Sequence, residues 1–264
     1  MKKCVLVTGG AGGMGLAAAL RLLSEGYSVF ALDKSAPAED NGIHYIEADV
    51  TSYDSLSAAL EKIKQYTDEL YAIVHFAGIY NLDSLVEMPE KDFTKIFDVN
   101  LFGAYRVNKL FLPLLKPGSR IVITTSELAP LDPLPFTGIY AITKSALDKY
   151  AYSLRMELQL LGISVAVMRP GAVDTGMIDV SIKALDRFTE GTTLYNCNAK
   201  RFKSIVEGVE ARRVPAERIA KLTAKILKAK RCRQVYSLNK NPLLLLLNIL
   251  PRRAQTWIIK KILN

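Results

Sequence analysis

Short apolar runs alternate with amphipathic segments over the first two-thirds of the chain, and this alternation limits the possible folds most strongly. Six nearly continuous apolar runs are predicted to be strands: Cys4–Thr8, Ser28–Asp33, His44–Asp49, Ala72–Ala77, Arg120–Thr125 and Ser164–Arg169. The segments between them have helical periodicity, at Met14–Glu25, Ser52–Tyr66, Phe93–Leu115 and Tyr140–Leu161. Strands that are apolar along their length are covered on both faces. The sequence therefore predicts a single α/β domain, a doubly wound parallel sheet with helices on both faces.

Composition argues against several classes of protein. Half of the 264 residues are apolar, as in an ordinary globular domain. The three cysteines, Cys4, Cys197 and Cys232, are widely spaced, and there are only two histidines. This pattern is unlike a disulfide framework or a metal site, and it fits a reducing cytoplasm. The first apolar run is too short for a secretory signal, and no stretch reaches the ~20 apolar residues of a membrane span. We therefore expect a cytoplasmic protein without a bound metal.

The positive charge is concentrated at the end of the chain. Residues 199–264 hold 17 lysines and arginines against three acidic residues, whereas residues 1–198 are net acidic. Such asymmetry is typical of a nucleic-acid surface, an anionic membrane surface, or a solvated helix and tail. Around Lys221–Arg233 the basic residues are not interleaved with stacking aromatics, so nucleic acid is not an expected partner.

A glycine-rich turn follows the first predicted strand directly. It reads Thr8-Gly9-Gly10-Ala11-Gly12-Gly13-Met14-Gly15 and opens into a helix. Glycines are needed where the backbone turns tightly and where a pyrophosphate approaches main-chain N–H groups. The N-terminus of the helix adds unpaired donors and the positive end of its dipole. Asp33 ends the second strand, where a carboxylate can accept hydrogen bonds from both ribose hydroxyls and repels a 2′-phosphate. The residue directly before Gly13 is Gly12 and not a basic one, so the pattern favours NAD over NADP.

A second pattern lies near the middle of the chain. Tyr140 and Lys144 stand four residues apart, which places them on one face of a helix. A free tyrosine has a pKa of ~10, too high for an efficient base at neutral pH. We expect the ammonium of Lys144 to lower the pKa of Tyr140, which makes the pair a candidate proton-transfer device.

Together these motifs resemble the short-chain dehydrogenase/reductase family, whose signature is TGxxxGxG near the N-terminus and YxxxK near mid-chain. The resemblance is specific over about residues 3–175 and implies a Rossmann-fold domain over residues 1–240. It implies four catalytic residues: Asn100, Ser126, Tyr140 and Lys144. It also implies a set of NAD-binding residues: Gly9, Gly13, Met14, Gly15, Asp33, Asp49, Val50, Ala77, Gly78, Tyr140, Lys144, Pro170, Gly171, Val173 and Thr175.

The resemblance further implies a role for each catalytic residue. Tyr140 takes the alcohol proton, Lys144 stabilises the tyrosinate and holds the nicotinamide ribose, and Ser126 orients the substrate oxygen. Asn100 positions a water that relays protons from Lys144. One departure stands out: His75 occupies the first position of His75-Phe76-Ala77-Gly78, where the family has asparagine. We expect His75 to be packed and hydrogen-bonded, not catalytic.

The substrate is expected to be an apolar secondary alcohol or ketone, such as a steroid, retinoid or lipid-like molecule. Leu128–Phe136, with Asp132 as its only charge, and Gly176–Tyr195 are predicted to line the site. Residues 175–215 are predicted to cover the substrate, and Arg187 is within reach of an anionic group. Two alternatives stay open: a 3-oxoacyl-type reductase and a non-catalytic, NAD-responsive binding protein.

Two expectations concern assembly and the tail. Helices Leu101–Leu115 and Tyr140–Leu161 resemble those that build a homodimer or homotetramer in the family. Residues 241–264 contain Leu243–Leu247 and then a basic amphipathic segment with Trp257. This pattern fits either a peripheral membrane anchor or leucines that cover the substrate cleft or a neighbouring subunit.

Overall fold

The computed structural model describes residues 2–37, 41–209 and 213–264. They form strands β1 (Cys4–Thr8), β2 (Ser28–Asp33), β3 (His44–Glu47), β4 (Leu70–His75), β5 (Leu115–Thr124), β6 (Ser164–Pro170), β7 (Val173–Asp174), β8 (Val214–Pro215) and β9 (Val235–Leu238). Seven strands make one sheet in the order β3-β2-β1-β4-β5-β6-β9, with every pairing parallel. The six predicted strands are confirmed to within two residues at each end, save that β5 begins five residues early.

The helices are α1 (Gly13–Ser24), α2 (Tyr53–Lys64), α3 (Glu90–Phe97), α4 (Gly103–Phe111), α5 (Gly138–Leu158), α6 (Gly176–Gly191), α7 (Asn196–Val209), α8 (Ala216–Lys228), α9 (Pro242–Ile249) and α10 (Arg252–Leu263). Successive side chains of each strand point to opposite faces of the sheet. Leu6 and Phe30 pack with α2, α4 and α5, while Val5 and Val29 pack with α1 and α8. Burial of one such side chain contributes about 1.5–3 kcal/mol. The doubly wound arrangement is therefore confirmed.

The order of the strands also locates the site. The chain runs from β1 outward to β2 and β3, then returns to place β4 on the other side of β1. In such a sheet a ligand crevice lies beyond the carboxyl ends of the strands, where the direction of winding reverses. That point is marked by Thr8, at the end of β1, and His75, at the end of β4.

The helix predicted over Phe93–Leu115 is interrupted. After α3, residues Asp98–Phe102 form a π turn, and α4 ends at Phe111. Pro113 has no backbone N–H and cannot continue the helix, so Leu112–Leu114 form a 3₁₀ turn instead. Periodicity alone could not show either break, because the apolar pattern runs through both.

The segment over residues 175–215 has weak periodicity in the sequence, yet it holds α6 and α7. Residues 210–212 of this segment lie outside the described part of the chain. Phe136 packs against Phe188, Tyr195 and Phe202, with ring centroids 4.5, 5.2 and 5.4 Å away. This aromatic cluster joins the two helices to the loop before α5.

The tail forms α9 and α10. The side chain of Asn241 caps α9 by accepting a hydrogen bond from Leu243 N at 2.9 Å. Pro251 separates the helices, and Asn198 on α7 donates a hydrogen bond to Leu263 O at 2.7 Å. Among the residues that the structure describes, every helix is too short or too polar to span a bilayer.

His75 is buried at the end of β4 and hydrogen-bonded, as expected. Its Nε2 lies 2.8 Å from Asn108 Oδ1, and Asn108 Nδ2 donates to the Tyr150 hydroxyl at 3.1 Å. Burial lowers the pKa of His75 to about 4, and the hydrogen bond with Asn108 opposes this shift only in part. The native imidazole therefore stays neutral down to about pH 4, whereas the unfolded one is protonated below its ordinary pKa of 6.5.

This difference predicts a loss of stability in mild acid. Between pH 6.5 and pH 4 the unfolded state binds a proton that the native state does not, so stability falls as the pH falls. From pH 7 to pH 4.5 the expected loss is about 2 kcal/mol. Urea unfolding of wild type and His75→Asn at both values measures it. Equal pH dependence in the two proteins would contradict the assignment.

Candidate active site

The glycine-rich turn is held tightly against β4. Gly9 has a positive φ of 68°, and a Cβ there would lie 2.7 Å from Ala77 N. A Cβ on Gly15 would lie only 1.9 Å from Gly9 O, so α1 approaches the turn more closely than a side chain permits. At Gly12 a Cβ would meet no atom of the described structure within 4 Å, so the space before α1 is open. The turn thus leaves room for a ligand at the N-terminus of the helix.

Asp33 lies beside this turn at the end of β2. Its Oδ2 accepts a hydrogen bond from Ala11 N at 2.9 Å, and its Oδ1 accepts one from Lys34 N at 2.8 Å. Lys34 Nζ forms an ion pair with Asp49 Oδ2 at 2.7 Å. Burial by itself would raise the pKa of Asp49, but the hydrogen bonds from Lys34 and Thr51 outweigh it, and the pKa lies below its usual value. The cation nearest to Asp33 in sequence is therefore already paired.

The next group of predicted residues forms one hydrogen-bonded unit. Asn100, in the π turn, accepts from Ile79 N at 2.8 Å and donates to Ile79 O at 3.0 Å and to Thr143 Oγ1 at 3.1 Å. A Cβ on Gly78 would lie 3.2 Å from Asn100 Oδ1 and 3.5 Å from Lys144 Nζ. Asn100 thereby fixes the segment that follows β4 against α5. Such π turns are frequent at functional sites.

Tyr140 and Lys144 share one face of α5, as predicted. Lys144 Nζ lies 5.6 Å from the centroid of the Tyr140 ring and donates to Thr124 O at 3.2 Å. Ser126, just after β5, hydrogen-bonds to the Tyr140 hydroxyl. The structure therefore brings Ser126, Tyr140, Lys144 and Asn100 together around one point.

The expectation that Lys144 lowers the pKa of Tyr140 is wrong. Burial, with a smaller contribution from the neighbouring Tyr80, raises the pKa of Tyr140 well above 10, and the hydrogen bond from Ser126 offsets little of this. Burial also lowers the pKa of Lys144 to about 8. Both shifts have one cause, since a dry pocket disfavours either charged form. The spacing of the two residues could not show this, because it contains nothing about burial.

The predicted segment from Pro170 to Thr175 completes this edge of the site. A Cβ on Gly171 would lie 2.0 Å from Asn239 O, so only glycine fits there. Val173 pairs with Val214 in the small two-stranded sheet, and Thr175 precedes α6. The segment passes directly above the cavity that Tyr140 faces.

A cavity of about 760 Å³ opens above Tyr140 and Ser126. The predicted walls are correct in part, because Leu128, Leu134 and Pro135 line it, whereas Phe136 points into the aromatic cluster. From the covering segment Met177 and Ser181 line the cavity, and α7 adds Phe202, Ile205 and Val206. Arg187 donates to Asn81 Oδ1 at 2.7 Å and lies outside the lining.

Much of the wall comes from residues that the sequence could not assign. The tail supplies Leu243, Leu244, Leu246, Leu247, Leu250, Ile258, Ile259, Ile262 and Leu263. Tyr80 lines the cavity with its ring 4.8 Å from that of Tyr140, and Glu127 follows Ser126. Burial raises the pKa of Glu127, whose Oε2 accepts a hydrogen bond from Asn241 N at 2.6 Å. The run of leucines was the one signal in the sequence for this wall.

The residues present fit a dinucleotide. The open space at Gly12 suits a pyrophosphate, the carboxylate of Asp33 suits ribose hydroxyls, and the ammonium of Lys144 suits the hydroxyls of a second ribose. Within the described part of the chain, no group of three or more histidine, cysteine or carboxylate side chains could hold a metal ion.

The comparison with known families agrees with this geometry. The family model described as short chain dehydrogenase matches residues 3–185. The chain belongs to this family. Among its relatives, estradiol 17-beta-dehydrogenase 2 of Mus musculus is 34% identical over 188 residues, 67% of this chain and 49% of that protein. The 3-oxoacyl-[acyl-carrier-protein] reductase MabA of Mycobacterium avium is 31% identical over 208 residues, 78% of this chain and 80% of that one.

A further relative is the NADPH-dependent 1-acyldihydroxyacetone phosphate reductase of Schizosaccharomyces pombe, 30% identical over 195 residues, 72% of this chain and 65% of that protein. The match thus spans about half to two-thirds of the mouse and yeast relatives. Solved structures share the fold. A short-chain dehydrogenase of Streptomyces avermitilis has a TM-score of 0.80 at 20% identity, covering 99% of this chain and 97% of that one. These comparisons show the family and its fold.

Proposed function

We propose that the chain transfers a hydride between NAD(H) and a secondary alcohol or ketone on an apolar, steroid-, retinoid- or lipid-like molecule. One observation carries the proposal: Ser126, Tyr140 and Lys144 line a large cavity whose walls are mostly apolar, with leucine and isoleucine the most frequent residues. The names of the relatives, an estradiol dehydrogenase and reductases of acyl-bearing substrates, support an apolar substrate.

In the proposed mechanism each residue has one task. When bound, the nicotinamide supplies the hydride chemistry. Ser126 hydrogen-bonds the substrate oxygen and holds it near Tyr140, whose hydroxyl gives or takes the proton at that oxygen. The ammonium of Lys144 would stabilise a tyrosinate once formed at Tyr140 and would hold the ribose hydroxyls. Asn100 keeps the segment at Ile79 in place and would position a water that relays protons from Lys144.

The preference for NAD rests on Asp33. A 2′-phosphate would meet this carboxylate, and Lys34, which could neutralise it, is paired with Asp49. We expect Asp33→Ala to reduce the ratio of NAD to NADP affinity by roughly tenfold or more. A change of this size is what the loss of about one contact between charged groups produces. Titration of NADH and NADPH, followed by nicotinamide fluorescence, measures this ratio on the reduced cofactors. The name of the yeast relative includes NADPH, so a wild type that prefers NADP would refute this assignment.

A 3-oxoacyl reductase is the second candidate function, favoured by the M. avium relative. A panel of hydroxysteroids, retinol, aliphatic alcohols, sugars and a 3-oxoacyl thioester distinguishes the candidates by turnover with NAD(H). Preferential reduction of the thioester with NADPH would support the second candidate. Cofactor binding without turnover of any member would support a non-catalytic, NAD-responsive protein.

We propose a homodimer or homotetramer built on α4 and α5. Several apolar side chains on or next to these helices are exposed: Phe102, Tyr105, Ile142, Tyr152, Met156, Leu160 and Leu161. Pairing of both helices across a two-fold axis would bury this surface. Light scattering at micromolar concentration is expected to give a mass of two or four chains. A stable monomer of 29.2 kDa would contradict the proposal.

We propose that the protein is cytoplasmic and contacts a membrane peripherally through residues 241–264. The basic surface of α8 is not proposed to bind nucleic acid, since Lys221 pairs with Glu217 and Lys228 with Glu25. Titration with nucleic acid over a salt series tests this.

A further inference from the structure

The two tail helices have apolar side chains on both sides. Toward the protein, Leu244, Leu247 and Ile259 line the substrate cavity. Toward solvent, Ile249 is 78% exposed, and Leu243, Leu246, Trp257 and Ile262 are each more than half exposed. Water-soluble proteins seldom leave so many large apolar side chains together in water, and such patches mark interaction sites.

The rim of the cavity lies within this exposed surface. Leu243, Leu246 and Ile262 belong both to the lining of the cavity and to the exposed set. Whatever covers the outer surface of α9 and α10 therefore also adjoins the opening through which a substrate enters.

The charged side chains of the tail are all basic. From Lys240 to the last described residue, Asn264, the chain has five basic residues and no acidic one. Arg253, Lys260 and Lys261 are exposed, and Lys261 Nζ lies 5.9 Å from the Trp257 ring centroid. Apolar side chains with interspersed lysine, arginine and tryptophan fit the boundary between headgroups and acyl chains of an anionic bilayer.

The tail is also anchored to the domain, so its outward side is fixed. Arg252 Nη2 forms an ion pair with Asp132 Oδ1 at 2.9 Å, and Asp132 N donates a hydrogen bond to Asn248 Oδ1 at 2.6 Å. Asn241 N donates a hydrogen bond to Glu127 Oε2 at 2.6 Å. These contacts join both tail helices to the loop that follows Ser126, which keeps the exposed residues pointing away from the cavity floor.

We propose that the outer surface of α9 and α10 docks on an anionic lipid bilayer and sets the rim of the cavity against the lipid, so that apolar substrates pass directly between membrane and active site. The entry route rests on the proposed function, whereas the docking does not. A second copy of the chain is a poorer occupant. Two-fold pairing of this surface would bring Arg253, Lys260 and Lys261 against the same cations of the partner.

The experiment uses Trp257, the only tryptophan of the chain, as its reporter. The full-length protein is mixed at low salt with vesicles of phosphatidylcholine alone or with phosphatidylglycerol. We expect flotation with the anionic vesicles only, a blue shift of the emission, and quenching by lipids brominated on the acyl chains. Leu246→Ser with Ile249→Ser should weaken binding at least tenfold, as should Arg253→Gln with Lys260→Gln and Lys261→Gln. The control is Val86→Ser, 71% exposed elsewhere, which should bind like wild type.

Docking would be refuted if the protein failed to float with anionic vesicles, or if the variants and wild type bound equally. An emission shift that follows protein concentration without lipid would also refute it, because it would assign the surface to a second copy of the chain. None of these readouts needs turnover, so failure of the proposed function leaves them intact. For entry, the variant that carries Arg253→Gln, Lys260→Gln and Lys261→Gln, at positions that do not line the cavity, should lose turnover of an apolar alcohol dissolved in vesicles while it retains that of a water-soluble alcohol. Equal loss of both would refute the entry route.

Discussion

Tyr140→Phe is expected to lower kcat by about 10²–10⁴, or roughly 3–5 kcal/mol of transition-state stabilisation, because it removes the group that exchanges a proton with the substrate oxygen. The ring and its packing remain, so NADH affinity should stay near that of wild type. Stopped-flow or steady-state kinetics, with a separate fluorescence titration of NADH, distinguishes the two effects.

Tyr80→Phe is the matched control for this variant. Its ring lies 4.8 Å from that of Tyr140 and lines the same cavity, so the substitution also removes one phenolic hydroxyl from the pocket. We expect it to retain most of the activity. If Tyr140→Phe kept substantial turnover, or if both variants lost the same amount, Tyr140 would not be the proton-transfer group.

Gly15→Ala is expected to have the second largest effect. Its new Cβ would lie 1.9 Å from Gly9 O, a backbone atom that cannot rotate away, so α1 must move off the turn. Overpacking of this kind lowers the free energy of unfolding by about 3 kcal/mol. The displaced N–H groups should also raise the Kd for NADH by roughly tenfold or more. Urea unfolding and calorimetric titration measure the two losses.

Gly12→Ala provides the comparison within the same turn. A Cβ there meets no described atom within 4 Å, and the φ of −155° suits any residue. We expect stability near that of wild type, whereas cofactor binding should weaken because the new Cβ enters the space that suits the pyrophosphate. An equal loss of stability at the two positions would show that the turn is sensitive to any side chain and would contradict the close approach of α1.

Local patterns were sufficient to predict the sheet and the main face of the site. The runs at β1 and β2 are apolar throughout because both faces are covered, and that requires no knowledge of the partner strands. The four-residue spacing of Tyr140 and Lys144 likewise places both on one helix face without any knowledge of long-range contacts. Asp33 could be placed because it ends a strand next to the glycine-rich turn.

What the sequence could not show depends on long-range contacts. The π turn follows from the hydrogen bonds between Asn100 and Ile79, which lie on different elements. The raised pKa of Tyr140 reflects its burial, and the tail and α7 line the cavity that it faces. The sequence could not decide whether the leucines of α9 cover the cleft or bind a membrane, because both explanations need an apolar surface. The folded tail presents one apolar surface to the cavity and another to solvent.

The most direct test of the central claim is nicotinamide absorbance with the substrate panel, wild type and Tyr140→Phe being assayed in parallel. The account predicts NAD-dependent oxidation of apolar secondary alcohols by wild type, higher kcat/KM for these than for sugars or short alcohols, and near-complete loss in the variant. Turnover confined to hydrophilic alcohols, or no hydride transfer with any member of the panel, would contradict it.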